Sequence, residues 1–107
     1  MAAEVVASSR DYAETVVHVT IRDSMYNPEV VTVKPGTTVV WTNRDGEPHN
    51  VHVFAAKSNG LEQDIIGPLL RRGQTFAITF HQEGQYEYTC DPHPWMAGTV
   101  IVQSAAE

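Results

Sequence analysis

Side chains alternate with a period of two along most of this chain, and that period limits its fold more than any other feature. Val17, Val19 and Ile21 alternate with His18, Thr20 and Arg22, Val39 and Trp41 with Val40 and Thr42, and Phe76, Ile78 and Phe80 with Ala77 and Thr79. Successive side chains of a strand point to opposite faces, so these stretches read as half-buried strands. Breakers fall between them at Asn27-Pro28, Lys34-Pro35-Gly36, Asp45-Gly46, Ser58-Asn59-Gly60, Gly67-Pro68, Arg72-Gly73 and Glu83-Gly84, at the spacing an all-β sandwich requires. Strands are expected near residues 4–7, 16–22, 29–34, 37–43, 49–55, 74–80, 85–90 and 98–103. Residues 56–73 read as one long irregular connection with a short helical turn around Glu62 to Ile65. With no internal repeat, low-complexity segment or linker, residues 1–107 are expected to form a single domain whose strand-forming core runs from about 4 to 103.

Composition narrows the function classes. A chain of 107 residues buries a core without disulfide staples, and its single cysteine forbids an intrachain disulfide. Cys90 is therefore a packed thiol, a ligand or a nucleophile. A formal charge of −6 gives no footing for nucleic acid or an anionic membrane. No apolar run approaches the roughly 20 residues of a membrane span. Residues 1–12 lack the basic start and apolar centre of an export signal, which leaves a cytoplasmic protein or a removed leader as the two readings.

Chemistry is concentrated in Cys90-Asp91-Pro92-His93-Pro94-Trp95-Met96, which sets a thiol, an imidazole and a thioether three residues apart. Thiolate and thioether select copper(I), and two histidines with one cysteine and a distant axial methionine describe a blue-copper electron-transfer site. Strand parity selects the second imidazole. His49 shares a face with Val51 and Val53, whereas His52 points the other way with Asn50 and Phe54, so His49 is the expected ligand and His52 a surface histidine. His18 and His81 sit at the wrong parity for their strands and read as solvent-facing. Tyr86, Tyr88 and Cys90 share one face, which puts Cys90 at the tip of a buried aromatic strand. Pro92 and Pro94 exclude helix and central strand and stiffen the loop that presents His93 and Met96.

Each part has an ordinary alternative. Cys90 alone reads as an inert buried thiol, and Met96 alone as a core gap-filler. Trp41 with Tyr88-Thr89-Cys90 fits an immunoglobulin-type core, but that needs a second cysteine near residues 16–22, and the chain has none. A zinc site of two histidines and one cysteine is a further option, as is a periplasmic copper carrier or chaperone that exchanges its metal. Dinuclear and multicopper centres need cysteines or histidine pairs that the chain lacks. No catalytic base or substrate pocket is evident, so an enzyme is not expected.

Tyr26-Asn27-Pro28-Glu29, Val39 to Arg44, Pro48 to His52, Gly67-Pro68, Gly84 to Tyr88 and Cys90 to Met96 together resemble the cupredoxins, and within them the amicyanins, whose short ligand loop has this length. The resemblance covers nearly the whole chain. It implies an eight-stranded Greek-key β-sandwich with one copper ion, cycling between Cu(I) and Cu(II), at one end. By the same resemblance, His49, Cys90 and His93 are equatorial ligands, Met96 is axial, and Asn50 ties the two ligand loops together. The electron would leave through His93, amid Pro48, Pro92, Pro94, Trp95, Met25, Leu69 and Leu70. Glu47 and Asp91 depart from the amicyanin pattern, which has an apolar residue and a threonine there. Methylamine dehydrogenase, the amicyanin partner, therefore does not carry over. The acidic rim points to a cationic redox partner such as a cytochrome c, with a dehydrogenase as the other class. A monomer in the periplasm, its leader removed, is implied.

Overall fold

A computed structural model describes residues 2–58 and 60–104. Among these residues, ten strands form two five-stranded sheets: β1 (Ala3–Val6), β2 (Val16–Arg22), β3 (Met25–Asn27), β4 (Val30–Val33), β5 (Thr37–Asn43), β6 (His52–Val53), β7 (Ile65–Ile66), β8 (Thr75–Phe80), β9 (Gly84–Thr89) and β10 (Ala97–Val102). One sheet runs β1-β8-β5-β2-β3 and the other β4-β10-β9-β6-β7. The β2–β5 and β4–β10 pairs are parallel; the rest are antiparallel. The all-β sandwich expected from the two-residue period is thus present, with two more strands than the eight expected. The additions, β3 and β7, are edge strands of two or three residues.

Val19, Ile21, Val39, Trp41, Phe76, Ile78 and Phe80 of the first sheet meet Val53, Tyr86, Tyr88, Val100 and Val102 of the second in one apolar core. Interdigitation of two inner faces is what makes such a sandwich stable. Trp41 and Tyr88 cross it edge to face with centroids 5.3 Å apart. Gly98 makes room for this arrangement: a Cβ there would run into the Tyr88 ring.

Three local expectations are corrected. The strand expected over 49–55 shrinks to β6, and His49 is held instead by an isolated antiparallel bridge to Leu70. The turn expected around Glu62 to Ile65 is absent. Asp64 accepts the Ala55 N–H at 2.8 Å, a 3-10 turn forms at Ala55–Lys57, and Ile65 joins β7. The half-buried reading fails for β5 and β8, which bury Thr38, Val40, Ala77 and Thr79 as well as their inner-face residues. These small outer-face side chains are covered by neighbours. Thr38 Oγ1 accepts the Ala13 N–H at 2.9 Å and lies 2.7 Å from Thr79 Oγ1.

Candidate metal centre

The end of β5, the end of β9 and the connections around β6 meet at one pole of the sandwich. Asn43, fully buried at the end of β5, donates through Nδ2 to Leu70 O at 2.7 Å and Glu47 O at 2.9 Å. That fixes the bend of residues 44–48 on both sides. His49 and Leu70 then exchange backbone hydrogen bonds of 3.3 and 2.7 Å, which carries the His49 side chain into the interior.

Asp45 orients the ring. Its Oδ2 lies 2.8 Å from His49 Nε2, and its two carboxylate oxygens accept the N–H groups of Asp23 and Ser24 at 2.7 and 2.9 Å. Both of those residues have positive φ, so the β2–β3 turn depends on this carboxylate. Burial opposes the Asp45 charge, but the two backbone donors and His49 prevail and hold its carboxyl below the ordinary range. A carboxylate at Nε2 fixes the proton there and leaves the Nδ1 lone pair facing Cys90.

On the other side, β9 delivers Cys90 to the core with no exposed surface. Two consecutive turns follow: His93 N–H donates to Cys90 O at 3.1 Å, and Met96 N–H to His93 O at 2.9 Å. Thr89 Oγ1 stitches the turns together, its single O–H lying within reach of both Pro94 O and Met96 O, with Met96 O the nearer acceptor. Pro92 and Pro94, which have no N–H, sit where the turns need none. Cys90 Sγ lies 3.5 Å from His49 Nδ1 and 3.6 Å from His93 Nδ1. The donor atoms of His49, Cys90 and His93 all fall within 4.8 Å of one another, while Met96, 2% exposed, closes the loop. Two imidazole nitrogens aimed at a thiol sulfur are a donor set suited to a soft or borderline metal, so the residues fit a copper ion. Burial pushes the Cys90 thiol up, helped by the Asp91 charge, and the Asn50 and His93 N–H groups only partly offset it. The thiol therefore stays protonated near neutrality until a metal displaces the proton.

The loops are laced together. Asn50, 2% exposed, accepts the Asp91 N–H at 2.8 Å and donates to Asp91 Oδ2 and Gly67 O, each at 3.0 Å. His52 stands apart from the donor group: its ring lies between Asp91 and Asp64. Among the other histidines, His18 is exposed and His81 pairs with Glu4 at 2.7 Å. His93 alone of the three donors reaches the surface, with an 18% exposed side chain. Glu47 Oε1 lies 3.4 Å from its Nε2, and Trp95 packs edge-on at 5.1 Å. Of the apolar residues expected to surround it, Trp95, Met25 and Leu69 are exposed, but Leu70 is 3% exposed, its backbone bridged to the buried His49.

Sequence reasoning missed Asp45 and Asp64. Asp45 read only as half of an Asp-Gly breaker, although its place four residues before His49 was a usable signal. Asp64 is twelve residues from His52, and no spacing rule links them.

Residues 13–103 match the family described as copper-binding proteins of the plastocyanin/azurin family. The chain is 46% identical over 76 residues to amicyanin-alpha of Methylorubrum extorquens, covering 71% of this chain and 61% of that protein. It is 38% identical over 96 residues to amicyanin of Paracoccus denitrificans, covering 90% and 72%. The chain thus spans less than two thirds of the first relative's length. A solved Cu(I) form of an amicyanin variant superposes with a TM-score of 0.84 at 34% identity, covering 96% of this chain and all of that one. Family, fold and donor chemistry agree: this chain belongs to the plastocyanin/azurin family of copper-binding proteins.

Proposed function

We propose that this chain is a one-electron carrier, not an enzyme, that holds a single copper ion on His49 Nδ1, Cys90 Sγ and His93 Nδ1, with Met96 as a weak axial ligand. The observation that carries this reading is the asymmetry of the donor set: three converging donor atoms, two sealed from solvent and the third on a ring that reaches the surface. Bound copper supplies the Cu(I)/Cu(II) couple.

The protein's part is to hold donors still and control access. Asp45 sets the His49 tautomer, Asn50 ties the two ligand loops, and paired turns fix the spacing of Cys90, His93 and Met96. Donors preset in this way limit rearrangement when the ion changes charge, and they oppose a carrier that must exchange its metal. His93, with Trp95 against its edge, is the exit toward a partner.

We assign the partners to redox proteins with a cationic docking face, of the cytochrome c class, because Glu47 stands at the exit ring with a 70% exposed side chain. Rim charges of this kind steer encounter more than they add affinity. Export to the periplasm and action as a monomer rest on the amicyanin resemblance alone. No helix among the described residues is long and apolar enough to cross a membrane.

The deciding experiment is the visible spectrum of the copper-loaded protein. An intense thiolate-to-copper band in the red is expected. A colourless copper complex, or zinc held in preference with the same three residues, would overturn the reading.

A further inference from the structure

We propose that His52 is a positioning residue for the copper centre, fastening the loop that begins at Cys90 to the long connection between β6 and β7. The inference rests on the copper-binding reading of His49, Cys90 and His93.

β6 lies between β9 and β7, with His52 opposite Thr89 on one side and Ile66 on the other. Diagonal neighbours in antiparallel pairs lie two residues along, within reach of a long or ring side chain. Beyond the end of β9 that diagonal is Asp91, two past Thr89, and just before β7 it is Asp64, two before Ile66. The imidazole spans both. Nδ1 is 2.7 Å from Asp91 Oδ1 and Nε2 is 2.8 Å from Asp64 Oδ2, while the ring stacks on Phe54 with centroids 4.5 Å apart.

The bonds continue beyond each carboxylate. Asp64 Oδ1 accepts the Ala55 N–H, and Asp91 Oδ2 accepts from Asn50, which in turn accepts the N–H of Asp91. A chain of hydrogen bonds therefore runs from the 3-10 turn at Ala55 through His52 to the residue after Cys90. Ionised carboxylates only accept, so with one at each ring nitrogen both must donate, which is the protonated imidazole. Burial works against that charge, yet the Asp64 and Asp91 bonds dominate and raise the His52 pKa.

Asp91 is exposed over 47% of its side chain. Without His52 its carboxylate keeps only Asn50, and the chain leaving Cys90 loses its tie to residues 54–64. No ligand is touched, so the effect belongs to how firmly Cys90 is presented.

His52→Phe tests this, since it removes both bonds and keeps an aromatic ring for Phe54. In the metal-free variant, hydrogen exchange at the Asp91 amide is expected to accelerate about tenfold while amides of β2 and β5 stay unchanged. In the copper-loaded variant the red band persists, and copper loss to a chelator is expected to be about tenfold faster, the usual effect of removing a group that orients a ligand. Asp64→Asn, which leaves the Asp91 contact in place, should fall between wild type and His52→Phe. A variant with lower stability but wild-type Asp91 exchange and wild-type copper release would overturn the proposal. Loss of the red band from wild type itself would instead sink the copper reading, and the metal-free exchange data would still judge the clamp. If His52→Phe does not fold, Asp64→Asn with wild-type exchange at both Ala55 and Asp91 overturns it equally.

Discussion

Asp45 and His49 are joined at 2.8 Å, and the same carboxylate that receives the ring's Nε2 also caps the turn at Asp23 and Ser24. One side chain thereby couples the tautomer of an interior imidazole to the shape of the β2–β3 turn.

Asp45→Asn should weaken copper binding about tenfold, because an amide no longer fixes the proton on Nε2 and the Nδ1 lone pair is less available. It should also loosen the turn by about 1 kcal/mol, since an amide offers one acceptor oxygen where the carboxylate serves two N–H groups. Chelator competition measures the first and hydrogen exchange at Asp23 and Ser24 the second. Unchanged affinity with faster exchange would separate the two roles and refute the first.

Cys90→Ser should abolish the red band, since the chain holds no other thiol. The buried thiol, pushed up in pKa, also predicts a proton balance. Copper loading near pH 7 should release a proton from Cys90, and apparent affinity should climb with pH until the thiol ionises by itself. Titration in a weakly buffered solution reads this directly. Loading of wild type and Cys90→Ser with equal proton release would show that Cys90 is not a ligand.

The strands legible from the two-residue period were those with a full inner face, such as Val16–Arg22 and Thr37–Asn43. Short edge pieces escaped because Met25–Asn27 and Ile65–Ile66 owe their pairing to a neighbour and not to a pattern of their own. Parity separated His49 from His52 even though most of the expected strand is a loop, because the bridge to Leu70 preserves an inward orientation at His49. What parity could not supply was the destination of His52. A polar face read as solvent-facing instead holds a histidine between two carboxylates contributed from residues 64 and 91, a contact that only the sheet order creates.

Met96→Gln should keep copper while lowering the reduction potential. An amide oxygen is a harder ligand than a thioether and favours the oxidised ion. A shift of roughly 60 mV corresponds to a tenfold change in relative affinity for the two oxidation states, and a drop of that order is expected by voltammetry. A raised potential would count against an axial position.

Glu47→Gln removes a negative charge beside His93 Nε2. Negative charge favours the oxidised, more positive site, so the potential should rise. The side chain is largely exposed, which limits the interaction to about 0.5 kcal/mol, or roughly 20 mV for one electron. Electron transfer with a cationic redox partner should also slow, with a weaker dependence on ionic strength. A salt dependence identical to wild type would remove Glu47 from the docking surface.

The His52 bridge gives metal-free stability a two-sided pH dependence. His52 has a raised folded pKa, so its contribution is fully present below the unfolded histidine value, near 6.5, and is lost as pH rises through the folded value. Asp64 is lowered chiefly by His52, and Asp91 is lowered by Asn50 and His52 against the cost of burial. Their contributions are present above the unfolded carboxylate value, about 4, and disappear as pH falls through the folded ones. The bridge should therefore stabilise most between about pH 4 and about pH 6.5, with both carboxylates charged and the ring protonated, and fade as pH rises further through the raised His52 value. Solvent reaches all three groups and screens them, so the contribution is modest. Denaturant unfolding of metal-free wild type and His52→Phe across this range should give curves furthest apart at about pH 5–6 that converge toward both extremes. A difference that keeps growing above pH 8 would show that His52 contributes as a neutral ring packed on Phe54 and not as the charged centre of a carboxylate bridge.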